Sequence, residues 1–136
     1  MIQIIAGKKG SGKTKRIIDM TNTLAAESAN DVVFIDKDNS YTRDITHKAR
    51  FVNASEYHMK TPEMFLGLLC GMLSSNYDIG TIFIDAFLKL SKTDIAEADW
   101  FFASLNELCT KHNVDFVLSV SADPAELPEY LKAYLI

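Results

Sequence analysis

The chain has 136 residues, of which 48% are hydrophobic and 24% are charged, proportions that are ordinary for a soluble globular protein. This length predicts one domain with a substantial core. The formal net charge of -4 argues against nucleic acid as a partner, because phosphate backbones are bound by basic surfaces. No basic region followed by a long apolar stretch opens the chain, so we expect a cytoplasmic protein without membrane contact.

A buried strand, a glycine-rich loop and an amphipathic helix are predicted in succession from the first residue. Residues 1–6 are mostly apolar, and Ile17, Met20 and Leu24 recur at helical spacing. Between them, residues 7–14 read GKKGSGKT and match the Walker A pattern Gly-x-x-x-x-Gly-Lys-Ser/Thr. In this context backbone N–H groups surround phosphate oxygens, and the helix N-terminus adds partial positive charge. The sequence therefore predicts a nucleoside triphosphate site.

All eight residues of the loop are predicted to contact the nucleotide, and two of them have specific roles. The Lys13 ammonium group is expected to reach the β- and γ-phosphates, and the Thr14 hydroxyl to ligate Mg²⁺. The predicted nucleotide-binding residues are Gly7, Lys8, Lys9, Gly10, Ser11, Gly12, Lys13, Thr14 and Ser119.

The rest of the chain alternates between strand and helix patterns, which is typical of a parallel α/β sheet. Apolar runs predict strands at residues 31–36, 80–85 and 114–120, with a short edge strand at 50–53 inside the polar segment 37–60. Helical patterns cover residues 61–74 and 94–112, and a short terminal helix follows Pro124.

A second phosphate-site element is predicted at the end of the strand at 80–85. Four residues, TIFI, precede Asp85 in a Walker B pattern. Because ligands bind beyond the carboxyl ends of parallel strands, Asp85 is expected beside the loop, holding Mg²⁺ through water. Asp36 ends the strand at 31–36 in the same way and is the alternative candidate for holding Mg²⁺. We interpret it instead as a cap or as facing a neighbouring cleft.

Missing motifs favour ATP over GTP and indicate weak hydrolysis. The Asn-Lys-x-Asp and Asp-x-x-Gly segments of GTPases are absent after the relevant strands. ATPases of the RecA-like division commonly place a glutamate after the Walker B aspartate, where this chain has Ala86. Ser119 and Ser121 end the last predicted strand, and they either sense the γ-phosphate or belong to an ordinary turn.

These motifs resemble those of the P-loop NTPase superfamily, in its RecA-like division. Over nearly its whole length the chain also resembles an uncharacterised bacterial family of small P-loop proteins described as ATP-binding, through residues 5–15, 46–50, 82–85 and 119–123. A fainter similarity to thymidine kinase rests on residues 39–43 and 46–47. Against it, Ala86 stands where that enzyme has a glutamate, and two cysteines cannot form its four-cysteine zinc site.

The resemblance implies a single three-layer P-loop domain over residues 1–136, with a mostly parallel sheet of four to five strands. Numbering the four longer strands along the chain, we expect the RecA-like order 1-4-3-2, and the kinase-type order 4-1-3-2 stays open. The first order leaves the apolar strand 1 at an edge. We therefore expect the terminal segment 130–136 or a second subunit to cover that edge.

Three functions remain open at this point. The preferred one is a protein that binds ATP and Mg²⁺ and acts as a slow or partner-dependent ATPase or nucleotide switch, alone or as a homo-oligomer. The others are a small nucleoside-type kinase, with acceptor contacts from residues 37–60, and a degenerate P-loop domain whose nucleotide is structural. Arg43 or Arg50 can complete a neighbour's site as an arginine finger.

Overall fold

The computed structural model describes all 136 residues and contains one five-stranded, all-parallel sheet with helices on both faces. The strands are β1 (Ile2–Gly7), β2 (Asp31–Asp36), β3 (Ala49–Asn53), β4 (Ile79–Ile84) and β5 (Asp115–Ser121). The helices are α1 (Lys13–Glu27), α2 (Pro62–Ser75), α3 (Phe87–Ser91), α4 (Asp99–His112) and α5 (Glu129–Lys132). None of these helices has both the length and the apolar character needed to span a bilayer.

The strands lie in the order β1-β5-β4-β2-β3. The last strand, β5, thus lies between β1, which precedes the Walker A loop, and β4, which precedes Asp85. The expected order 1-4-3-2 counted only the four longer strands. The observed numbers differ from it because residues 49–53 form a fifth strand, β3, which pairs with β2 along its length. The alternative order 4-1-3-2 is wrong, because it requires β1 to lie between two strands. Among the strands β1 pairs with β5 alone, and a different segment of the chain covers its other edge.

The C-terminal segment of the same chain covers that edge of β1. The Ile4 N–H donates to the Tyr134 carbonyl at 2.8 Å, and the Ile136 N–H donates to the Ile4 carbonyl at 3.0 Å. The Tyr134 ring stacks on Phe102 of α4, and the Arg16 guanidinium donates to the Ile136 carbonyl at 3.0 Å. The expected cover of this apolar edge is therefore supplied by the segment at 130–136.

Removing residues 134–136 is expected to destabilise the protein and to make it associate. Two backbone hydrogen bonds to β1 and the aromatic contact with Phe102 are lost, so the free energy of unfolding should fall by about 2–4 kcal/mol. The uncovered β1 edge then offers unpaired backbone groups to another chain. Urea unfolding and sedimentation velocity measure the two effects. Tyr77→Ala, at a ring that is 85% exposed, is the control, and a stable, monomeric truncated protein would contradict the prediction.

The two faces of the sheet are covered unequally. Helices α2 to α5 enclose a cluster of 24 buried apolar residues on one face, whereas α1 alone covers a cluster of 10 on the other. In the larger cluster the ring of Phe87 contacts those of Phe65, Phe101 and Phe102, at centroid distances of 6.4, 5.3 and 5.4 Å. Because Phe87 begins α3 just after Asp85, this packing fixes the chain that leaves β4.

One helix prediction needs correction, one helix was missed, and one prediction is confirmed. The helix predicted from residue 94 begins at Asp99 instead, because the Asp94 side chain accepts from the Ala96 N–H at 3.0 Å and caps a separate 3-10 turn. Helix α3 was not predicted, since five residues are too few to show a helical period. Helix α2 begins as predicted, with Thr61 as its cap.

Candidate nucleotide-binding site

The Walker A residues form a turn between β1 and α1 that requires glycine at two positions. Gly10 and Gly12 have φ angles of 84° and 88°, where other residues are strained. The Ser11 N–H donates to the Lys8 carbonyl at 3.1 Å, and Lys13 Nζ donates to the same oxygen at 3.0 Å. No side chain caps α1, so the N–H groups of its first turn remain available to an anion.

Asp85 is held directly beneath this loop by two hydroxyl groups. Thr14 Oγ1 donates to Asp85 Oδ2 at 3.0 Å, and the Ser119 hydroxyl donates to Oδ1. The Ala86 N–H in turn donates to Ser119 Oγ at 2.8 Å. Asp85 and Ser119 are both buried, so the carboxylate is fixed from below while Thr14 links it to the loop.

This hydroxyl and this carboxylate suit Mg²⁺, which prefers oxygen ligands and keeps several waters. The chain contains no cluster of three or more His, Cys, Asp or Glu side chains that could hold a metal ion. A Mg²⁺ ion beside Thr14 and Asp85 would therefore take most of its ligands from phosphates and water. That division of ligands is usual where Mg²⁺ is bound together with a nucleotide.

A cleft of about 440 Å³ opens above these groups. Seven of the predicted site residues line it, namely Lys9, Gly10, Gly12, Lys13, Thr14, Asp85 and Ser119. Gly7, Lys8 and Ser11 do not line it. A Cβ at Gly7 would collide with the Ser11 side chain, and Lys8 Nζ lies 3.7 Å from Asp123 Oδ2. The structure therefore brings together the residues of the two Walker motifs, with Gly7 serving the packing of the loop.

The cleft is strongly basic although the whole chain is acidic. Five lysines line it, namely Lys9, Lys13, Lys15, Lys37 and Lys89, and Asp85 is the only carboxylate in its lining. Such an excess of one charge concentrates ligands of the opposite charge. The lining therefore favours a polyanion such as a triphosphate.

A second buried carboxylate lies on the neighbouring strand. Asp36 ends β2, and Ile35 of β2 lies opposite Ile84 of β4, so Asp36 and Asp85 occupy corresponding positions at the same end of the sheet. Asp36 Oδ1 accepts from the Lys37 N–H at 2.7 Å, whereas Oδ2 is buried without a partner. Burial raises the pKa of Asp36 to about 6, the Lys37 N–H opposes this, and the Asp85 charge adds to it.

Asp36 lies on the strand next to β4, as the expected strand order implied, and it does not line the cleft. A buried carboxylate oxygen without a hydrogen-bond partner is uncommon in folded proteins. Carboxylates whose pKa is raised by burial and by a neighbouring charge are frequent at functional sites. Asp36 therefore joins Asp85 as a candidate functional residue, although its role as acceptor for the Lys37 N–H also fits the cap that was expected.

Sequence analysis missed several residues that border the cleft from other elements. Lys37 and Tyr41 reach it from the segment after β2, and Lys89 reaches it from α3. These residues belong to no motif, and only the sheet order brings them near the loop. Ala86 also lines the cleft, with a φ of 55° that is uncommon for a residue other than glycine.

The basic residues considered as arginine fingers lie outside the cleft. Arg43 is exposed in a 3-10 turn between β2 and β3. Arg50 is exposed on the edge strand β3, where it borders a separate cavity together with His47. The structure therefore does not bring Arg43, Arg50 or His47 to the Walker motifs of their own chain.

Comparison with solved structures places this geometry in a known fold. The flagellar accessory protein FlaH from Methanocaldococcus jannaschii is similar with a TM-score of 0.63 and 13% identity, over 97% of this chain and 65% of that one. Domain III of the Thermotoga maritima replication initiation protein DnaA is similar with a TM-score of 0.50 and 18% identity, over 98% of this chain and 50% of that one. This chain thus spans less than two thirds of either structure.

No family model matches the sequence, and no curated protein matches it. The resemblance to a bacterial family of small P-loop proteins therefore stays an expectation, and the similarity to thymidine kinase has no support. At identities of 13% and 18%, the structural similarities are evidence for the fold alone. Together with the Walker A loop and the parallel sheet, they show that this chain has the P-loop NTPase fold.

Proposed function

We propose that the chain binds Mg-ATP in the cleft beside the Walker A loop and acts as a slow or partner-dependent ATPase, serving as a nucleotide switch. The observation that supports this best is the hydrogen-bonded set of Thr14, Asp85 and Ser119 below the free N-terminus of α1. It combines an anion-binding helix end with oxygen ligands for a divalent cation.

Each part of the proposed site has a physical role. The backbone of residues 7–14 surrounds the phosphates, and Lys13 neutralises their charge after leaving the Lys8 carbonyl. Thr14 and Asp85 hold Mg²⁺, which neutralises further phosphate charge. Ser119 orients Asp85 through its hydroxyl and so acts on the nucleotide indirectly, rather than as the direct phosphate sensor considered from the sequence.

Hydrolysis also needs a group that orients the attacking water. The Ala86 side chain carries no hydrogen-bond acceptor for this water. We therefore propose that Asp36 orients the water through its unpartnered Oδ2. Asp36 is fully buried and does not line the cleft, so water reaches it poorly in this conformation. Slow turnover follows from that burial, and a partner or a second copy that alters the segment after β2 would increase it.

The proposal predicts that Lys13→Ala lowers the affinity for Mg-ATP by roughly 10- to 100-fold. The variant loses a charge-assisted contact to a phosphate, worth about 1.5–3 kcal/mol. Isothermal titration calorimetry with Mg-ATP measures the change, and circular dichroism checks that the variant is folded. Lys48→Ala, at an exposed lysine outside the cleft, is the matched control. Equal affinities for the two variants would exclude the loop as the binding site.

A further inference from the structure

A second cavity, of about 450 Å³, adjoins the phosphate cleft. Lys37 and Lys89 line both cavities, so the two share a wall. Beyond them the second cavity is lined by Lys92, His58 and Ser55, together with four apolar residues. Its volume lies within the range of about 300–1,000 Å³ that is typical of small-molecule sites.

The wall of this cavity carries positive charge that the protein does not neutralise. No Asp or Glu lines it. Lys89 and Lys92 form no ion pair, and Lys37 has only the adjacent Asp38, at 3.5 Å. Three ammonium groups around one cavity repel one another unless an anion lies between them. The lining is therefore electrostatically complementary to a multiply charged anion.

Unusual backbone conformations border the same two cavities. His58 and Lys92 have φ angles of 54° and 55°, and Ala86, in the phosphate cleft, has 55°. These are three of the four residues other than glycine with positive φ in the chain. His58 ends a 3-10 turn, and Ala86 and Lys92 flank α3, so these conformations are the sharp ends of two short helices. The turns they make bring residues 55–59 and 88–92 to the wall of one cavity.

We propose that this cavity binds a small organic phosphate, with the phosphate group among Lys37, Lys89 and Lys92 and an apolar or uncharged body against the four apolar residues. A phosphate suits the site better than a single carboxylate, because it offers up to two charges and three acceptor oxygens to the ammonium, hydroxyl and imidazole groups. The inference rests on the proposed function in one respect: Lys37 and Lys89 would then contact both this ligand and the nucleotide phosphates.

The test uses ¹⁵N-labelled full-length protein saturated with Mg-AMPPNP, which occupies the Walker A loop. Three probes that share a phenyl ring are titrated separately: phenyl phosphate, benzoate and phenol. We expect phenyl phosphate to shift the amide signals of His58 and residues 88–92, benzoate to bind more weakly, and phenol to leave these signals in place. Lys92→Gln should weaken phenyl phosphate binding roughly three- to tenfold, without changing AMPPNP binding.

Lys111→Gln, at an exposed lysine on α4 outside this cavity, is the matched control. No shifts at His58 and Lys92, equal binding of phenol, or equal losses in the two variants would overturn the proposal. Tighter binding of benzoate than of phenyl phosphate would overturn the choice of phosphate and indicate a carboxylate ligand. Missing AMPPNP shifts at residues 10–14 would contradict the nucleotide site alone, so the two proposals fail separately.

Discussion

Asp36→Asn is expected to stabilise the nucleotide-free protein above about pH 6 and to lower its residual ATP hydrolysis. Asp36 is fully buried, its Oδ2 has no partner, and its pKa is raised to about 6 by burial, with Asp85 adding to the shift. An asparagine keeps the oxygen that accepts from the Lys37 N–H and removes the charge. The substitution therefore separates the stability cost of this carboxylate from its proposed use.

The sign of the pH dependence follows from the direction of the shift. Because the folded protein holds the Asp36 proton more tightly than the unfolded chain, this group stabilises the fold below about pH 4. That contribution is lost as the pH rises through the folded pKa of about 6. The full shift corresponds to at most about 3 kcal/mol. Urea unfolding between pH 4 and pH 8 should show little difference at the acid end and an advantage of about 1–3 kcal/mol for the variant at pH 8.

Asp38→Asn is the matched control for this experiment. Asp38 is partly exposed two residues away, and the Ser40 N–H holds the pKa of its carboxyl below the ordinary value. Its contribution to stability is therefore present at neutral pH and lost on acidification, opposite in sign to that of Asp36. If the stability of both variants changes in the same way with pH, the raised pKa of Asp36 is not the cause of the stability change.

The same Asp36→Asn protein tests the catalytic assignment. A well-placed group that orients the attacking water contributes about 10²–10⁴-fold to the rate. Because Asp36 is buried beside the cleft, single-turnover hydrolysis in the variant should fall measurably, by at most that factor. The affinity for Mg-ATP should be retained or rise, since a negative charge near the phosphates is removed. Unchanged single-turnover hydrolysis in Asp36→Asn would assign the water to another group.

Most elements could be predicted from the sequence, including the short strand β3, whereas the short helix α3 could not. Strands β1, β2, β4 and β5 are rich in β-branched and aromatic residues, and α2 carries both a cap at Thr61 and a proline in its first turn. Helix α3 has five residues, and it forms because Phe87 packs among three aromatic rings. Its stability depends on tertiary contacts that no local pattern contains.

The candidate site likewise contains residues that could be predicted from the sequence and residues that could not. Lys13, Thr14 and Asp85 belong to motifs whose spacing reflects a strand followed by a ligand-binding loop, and the structure places them together. Lys37 and Lys89 border the same cleft although 52 positions separate them in the chain, because β2 and β4 are neighbours in the sheet. The importance of Asp36 likewise depends on a strand register and on burial, which the sequence does not specify.

Hydrolysis of Mg-ATP by the isolated, dilute protein is expected to be well below about one turnover per second, a typical lower value for enzymes. Phosphoryl transfer needs neutralised phosphate charge, an in-line nucleophile and a group that orients it. Lys13, Thr14 and Asp85 are proposed to supply the first. Ala86 carries no group for the last, and Asp36 is enclosed behind the cleft. A well-placed orienting group contributes about 10²–10⁴-fold, and the burial of Asp36 should leave only a part of that factor in the isolated protein.

Steady-state phosphate release across a protein concentration series distinguishes the possible sources of activation. If a second copy supplies Arg43 or Arg50, which are both exposed outside their own cleft, the rate per molecule should rise with concentration. Arg43→Gln or Arg50→Gln should then remove the rise and keep the basal rate, whereas Lys48→Gln, beside Arg50, should change neither. A slow rate at every concentration would assign activation to a different protein. Turnover of about one per second or faster in dilute monomer would mean that Ala86 and the burial of Asp36 do not limit the site.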